Sequence, residues 1–186
     1  MNETSFSNHL LIAMPGMDDP NFKHAVIYVC EHQTQGTVGL IINRPLQFQI
    51  SLIFDQLKIQ PIENHLSTRP LLFGGPLQPE RGFVIHKQIG TWQSSLVLQD
   101  DVTITTSNDI IRSIAVDKGP LDLLVTLGFT AWNAQQLEEE IKNDVWLVCP
   151  FKSELLYEVP FDQRWTYAGS LLGVNMNQLT SHSGHA

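Results

Sequence analysis

A chain of 186 residues with 19 acidic and 11 basic side chains, a formal charge of −8, is the size of one compact domain. Its cations are scattered singly from Lys23 to Arg164, so it lacks the clustered positive footprint that direct nucleic-acid contact requires. Leu, Ile, Val and Phe supply 59 residues, enough for an independent core, while the longest apolar runs, such as residues 10–14, fall far short of the roughly 20 needed to span a membrane. No Lys or Arg precedes Lys23 and no long apolar run follows the N-terminus, so no secretory leader is expected and the chain is placed in the cytoplasm. Charged residues are only 16%, which predicts a surface rich in neutral polar groups and available to partners.

In chain order, apolar runs predict strands at residues 10–14, 25–30 and 37–42, the last two joined by a polar link ending in Gly36 that suits an antiparallel hairpin. A short helix over 51–58 puts Ile53, Phe54 and Leu57 on one face, and strands follow at 71–73, 82–86, 95–98 and 102–105, with Asp100-Asp101 turning between the last two. A second helix starts at Thr106 or Ser107, with Asp109 placed for a capping box onto Thr106, and stops before Gly119-Pro120. Strands at 121–127 and 145–148 flank a third helix, capped by Asn133 and Gln136, whose Ala134, Leu137 and Ile141 face inward and whose Glu138, Glu139 and Glu140 face outward. The run 155–159 reads as a strand, and a fourth helix opens near Asp162, buries Trp165, Ala168, Leu171 and Leu172, and ends at Gly173. The pattern is α+β with a largely antiparallel sheet and about four flanking helices, in a single domain over 1–174 with a polar C-terminal tail over 175–186.

No phosphate-binding glycine loop, nucleophile elbow, C-x-x-C or H-E-x-x-H motif is present. Cys30 and Cys149 lie in apolar runs and are expected to be reduced core thiols, neither catalytic nor bridged. Asp18, Asp19, His24, Glu31 and His32 are metal-ligand types, but Glu31 and His32 leave a strand on opposite faces, and the tail residues His182 and His185 support adventitious binding at most, so neither metal nor cofactor is expected.

The segment Gly74-Gly75-Pro76 leads to Arg81, and Asn43-Arg44-Pro45 ends another apolar strand. Two loop arginines beside glycine N–H groups can grip a carboxylate or phosphate, so Glu31, Asn43, Arg44, Gly74, Gly75, Arg81 and His86 form the candidate rim for a ligand or partner. Alternation puts Arg81, Phe83 and Ile85 on one side and Gly82, Val84 and His86 on the other, which makes His86 the weakest member. The plainer alternative is that the glycines shape turns while Arg44 and Arg81 pair with local acids such as Glu31 or Glu80.

Leu11-Ile12-Ala13-Met14-Pro15, Asp19-Pro20-Asn21-Phe22, Tyr28-Val29-Cys30-Glu31-His32, Gly39-Leu40-Ile41-Ile42-Asn43-Arg44-Pro45, Gly74-Gly75-Pro76, Arg81-Gly82-Phe83-Val84-Ile85-His86, Thr106-Ser107-Asn108-Asp109, Leu127-Gly128-Phe129, Trp132, Gln136-Leu137-Glu138-Glu139-Glu140-Ile141 and Gly184-His185-Ala186 together resemble the AlgH/YqgE family of uncharacterised bacterial proteins. The resemblance spans nearly the whole chain and implies an α+β fold with a partly barrel-like antiparallel sheet. It implies no established activity, and the transcriptional-regulator label carried by AlgH fits a chain of charge −8 only as an indirect role. Residues 130–135 lack the small glycines the family places near the Trp, which argues against close backbone approach to a ligand there. Two functions follow as expectations. The first is a non-catalytic protein that binds another protein or a small anionic ligand; the second is a hydrolase or transferase on an anionic molecule, with Glu31 or His86 as general base.

Overall fold

The structure, a computed structural model, describes residues 5–63, 65–99 and 101–179. Ten strands form among them: β1 (His9–Ala13), β2 (Val26–Gln33), β3 (Gly36–Ile41), β4 (Pro45–Gln49), β5 (Pro70–Phe73), β6 (Leu77–His86), β7 (Ser95–Gln99), β8 (Val102–Thr105), β9 (Leu123–Asn133) and β10 (Trp146–Pro150). Six α-helices accompany them among the described residues: α1 (Ser51–Gln56), α2 (Asn108–Ala115), α3 (Gln136–Lys142), α4 (Ser153–Tyr157), α5 (Arg164–Leu171) and α6 (Met176–Leu179).

The sheet runs β10-β1-β2-β3-β9-β6-β8-β7, antiparallel throughout, and β5 joins its partner β4 to β9 through a parallel pairing. It curls into a half-barrel, the α+β, largely antiparallel architecture expected from the sequence. Asn8 draws the two sides together, because its Nδ2 donates to the Leu98 carbonyl at 3.4 Å and its Oδ1 accepts from the Tyr28 hydroxyl at 2.7 Å. Strand alternation sorts the core. Leu10, Ile12, Val26, Tyr28, Leu40, Phe83 and Ile85 line the concave side, where α4, α5 and α6 pack. Leu11, Ala13, Ile27, Val29 and Ile41 face the other way with Trp132 and Trp146, under Leu137 of α3. Phe54 of α1 and Ile110, Ile111 and Ile114 of α2 cover Val84 and Val125.

Several local expectations are corrected. Residues 155–159 are not a strand: α4 carries Leu155 and Leu156 into the core together, and a short apolar run does not by its periodicity distinguish the two conformations. No sequence alternation marks β4, because Pro45 opens it and its residues are largely exposed. Asp109 does not close a capping box on Thr106; its carboxylate accepts from the Ser107 hydroxyl and from the N–H groups of Gln93 and Ile110. Half of the expected α3 box forms, with Gln136 accepting from the Asn133 N–H at 3.0 Å. Ala134 is exposed, and Glu138 and Glu140 turn inward. Leu172, just beyond α5, is 37% exposed rather than buried. Part of the stretch expected as a tail is helical, with Met176 buried against Gly169, while residues 180–186 and Asp100 lie outside the described residues. No helix among the described residues is long and apolar enough to cross a membrane.

Candidate functional site

A cavity of about 490 Å³ opens at the mouth of the half-barrel, between the ends of β2 and β3 on one side and β6, β7 and β8 on the other. Val38, Leu40, Phe83, Ile104 and Phe129 form apolar walls, and Glu31, Arg81, Ser94 and Thr106 bring polarity to them. Arg81 reaches the concave side because alternation along β6 sets it with Phe83 and Ile85, and its guanidinium carbon lies 5.2 Å from the Phe83 ring centre. Glu31 arrives by a different route. In the β2–β3 ladder Val29 faces Gly39 and the next pair is Glu31 with Val38, so Cys30 is an extra, bulged residue. The bulge shifts the phase of β2: Cys30 and Glu31 both line the cavity, and His32 takes the opposite side, where its Nδ1 lies 2.8 Å from the Thr37 hydroxyl.

Arg81 and Glu31 line one cavity without pairing. The ion pairs among the described residues are His32 with Glu138 and Lys87 with Asp122. Glu31 accepts a hydrogen bond from the Gln33 side chain and keeps carboxylate capacity beyond it.

The other members of the expected rim are engaged elsewhere. Arg44 donates to the carbonyls of Pro20, Asn21 and Lys23, with 2.9 Å to Pro20 and 2.7 Å to Lys23, and its guanidinium carbon lies 5.9 Å from the Phe73 ring centre. Asn43 bridges the start of β2, accepting from the Val26 N–H at 2.9 Å and donating to the His24 carbonyl at 2.8 Å. The Gly74 N–H donates to the Leu127 carbonyl at 2.8 Å. Gly75, at φ +154°, lies so close to β9 that a Cβ would fall 2.2 Å from the Phe129 carbonyl, and Gly128, at φ +74°, makes the reciprocal approach. These glycines let two strands touch. Of the expected set, only Glu31 and Arg81 line the mouth cavity.

His86 is buried on the side facing α2. Its Nδ1 donates to the Lys87 carbonyl at 2.6 Å, so Nε2 accepts from the Thr105 hydroxyl at 2.8 Å. Burial lowers its pKa, with the Lys87 hydrogen bond opposing in part, and the ring is a neutral core group. Burial likewise pushes the Cys30 and Cys149 thiols above their ordinary range. Cys149 is a core residue as expected, whereas Cys30 is a cavity wall, and both are free.

Two polar centres had no sequence signal. Arg164, 3% exposed, donates to the carbonyls of Val159, Leu156 and Ile42 and stacks on Phe161, its pKa lowered to about 10 by burial. Glu140 accepts from the indoles of Trp132 at 2.9 Å and Trp146 at 2.7 Å and from Gln136 at 2.9 Å, which locks α3 onto β9 and β10.

A family model described as AlgH-like matches residues 10–177. A UPF0301 protein of Legionella pneumophila strain Corby is 66% identical over 183 residues, 98% of each chain, and one from Nitrosococcus oceani is 42% identical over 181 residues, 97% of each. The solution structure of AlgH from Pseudomonas aeruginosa superposes with a TM-score of 0.80 at 39% identity, over 100% of this chain and 98% of that one. A crystal structure from Corynebacterium diphtheriae, 18% identical, shares the fold at a TM-score of 0.74 over 96% of this chain and 93% of that one.

Proposed function

The chain belongs to the AlgH-like family, and on that premise we propose that it is a non-catalytic binder of a small carboxylate-bearing molecule with an apolar body, seated in the mouth of the half-barrel. The observation that carries this reading is Arg81, a guanidinium on an apolar-walled cavity with no carboxylate in ion-pair contact among the described residues. A mouth of this size is within the usual range of ligand pockets, and an Arg fork matches a carboxylate in geometry as well as charge. Catalysis is the weaker reading because the Cys30 thiol is kept protonated by burial, and His86, one of the two candidate bases, is engaged with Thr105 on the far side of β6. A net charge of −8 disfavours direct action on DNA, so a regulatory role would run through the bound ligand or a partner.

The test is a titration with 3-phenylpropanoate followed by backbone amide shifts. Shifts are expected around Cys30, Val38, Phe83 and Leu96, with affinity reduced at least roughly tenfold in Arg81→Gln, as for loss of a charged hydrogen bond. Shifts confined to other surfaces, or an affinity indifferent to Arg81, overturn the reading.

A further inference from the structure

We infer that the mouth cavity takes a zwitterion, of the apolar α-amino acid class, with Arg81 holding the carboxylate and Glu31 the ammonium. The inference rests on the proposed ligand-binding reading of the same cavity and goes beyond it in assigning Glu31 a recognition role.

Three observations lead there. The first is the bulge at Cys30, which turns Glu31 from the convex side to the cavity wall. Bulges next to sites commonly re-aim a side chain in this way, and here the side chain re-aimed is an acid placed on a cavity that already holds a cation. The second is that the two charges share one cavity and still make no ion pair within 4.0 Å, so each keeps hydrogen-bonding capacity for a guest. A plain carboxylate would satisfy Arg81 and be repelled by Glu31, and a plain amine would meet the reverse; a molecule with both charges answers both. The third is the long-range field: a chain of charge −8 disfavours the approach of an anion and is indifferent, to first order, to a neutral zwitterion. Phe83 and Phe129, set edge to face with centroids 6.0 Å apart, then receive an apolar or aromatic side chain.

Three matched probes separate the terms: L-phenylalanine, 3-phenylpropanoate, which lacks its amine, and 2-phenylethylamine, which lacks its carboxylate. Calorimetric titration of the full chain should find L-phenylalanine at least tenfold tighter than either truncated probe. Glu31→Gln, an exposed substitution compatible with the fold, should erase the preference over 3-phenylpropanoate while leaving that probe bound as well or better, and Glu31→Asp should retain part of the preference. Arg81→Gln should weaken both carboxylate-bearing probes. If 3-phenylpropanoate binds at the mouth as tightly as L-phenylalanine, or the preference survives Glu31→Gln, the zwitterion assignment is overturned and the simpler anion reading stands. If none of the three probes binds, both fall together.

Discussion

Arg44, just after β3, and Arg81, within β6, are the same residue type on the two sides of β9, and their surroundings give them opposite roles. At the Arg44 corner the loop before β2 presents the carbonyls of Pro20, Asn21 and Lys23, which have no strand to pair with, and the guanidinium satisfies them and is held there. At the barrel mouth β6 separates from β9 between Leu77 and Gly82, and Arg81 emerges where it meets an aromatic ring and no carbonyl. The lesson is that a guanidinium is available to a ligand only where the backbone around it is already satisfied. Unpartnered carbonyls compete with any external anion and, being covalently tethered, they win.

The comparison breaks most easily at the glycines. Gly75→Ala would place a methyl 2.2 Å from the Phe129 backbone at a φ that L residues avoid, so it should cost roughly 3 kcal/mol or more and lower Tm by roughly 10 °C, measured by thermal unfolding. A variant of wild-type stability would mean that the close approach of residue 75 to Phe129 is not required by the fold. Arg44→Ala comes next, with a loss of about 2 kcal/mol in urea unfolding and no change in 3-phenylpropanoate affinity. A loss of affinity without a loss of stability would return Arg44 to the site.

His86 sharpens the contrast through pH. Its folded pKa lies below 6.5, chiefly through burial, so above pH 6.5 both folded and unfolded states are neutral and it contributes no pH dependence. As pH falls below 6.5, the unfolded chain takes up a proton that the folded ring resists, and stability declines until the folded pKa is passed. His86→Leu should therefore flatten the fall in Tm between pH 7 and pH 5, and an unchanged slope would show that the ring titrates freely. The smallest effect belongs to Arg81→Ala, within about 0.5 kcal/mol of wild-type stability, because the side chain is exposed and anchors no other element. A larger loss would mark Arg81 as structural, like Arg44.

Much of this molecule was open to reading in one dimension. Alternation identified the strands that carry Leu10 and Ile12, Tyr28, Leu40 and Phe83, and the same two-residue period separated Arg81 from His86. Helical spacing set Ile110, Ile111 and Ile114 in the core, because burial of a periodic face is a local property of the chain. The sequence marked Arg44, Arg81, Asn43 and the glycines as polar or permissive groups at strand ends, and it could go no further. Which of them stays free depends on what folds against it, and those neighbours lie elsewhere in the chain: the loop at 20–23 for Arg44, β9 for Gly74 and Gly75, β8 for His86. Glu31 shows the limit most clearly. Strict alternation sends it to the convex side, and only the pairing of β2 with β3 inserts the one-residue bulge at Cys30 that brings it to the cavity Arg81 also lines. A phase slip of that kind is decided by the register between two strands, so the composition of a single strand does not reveal it.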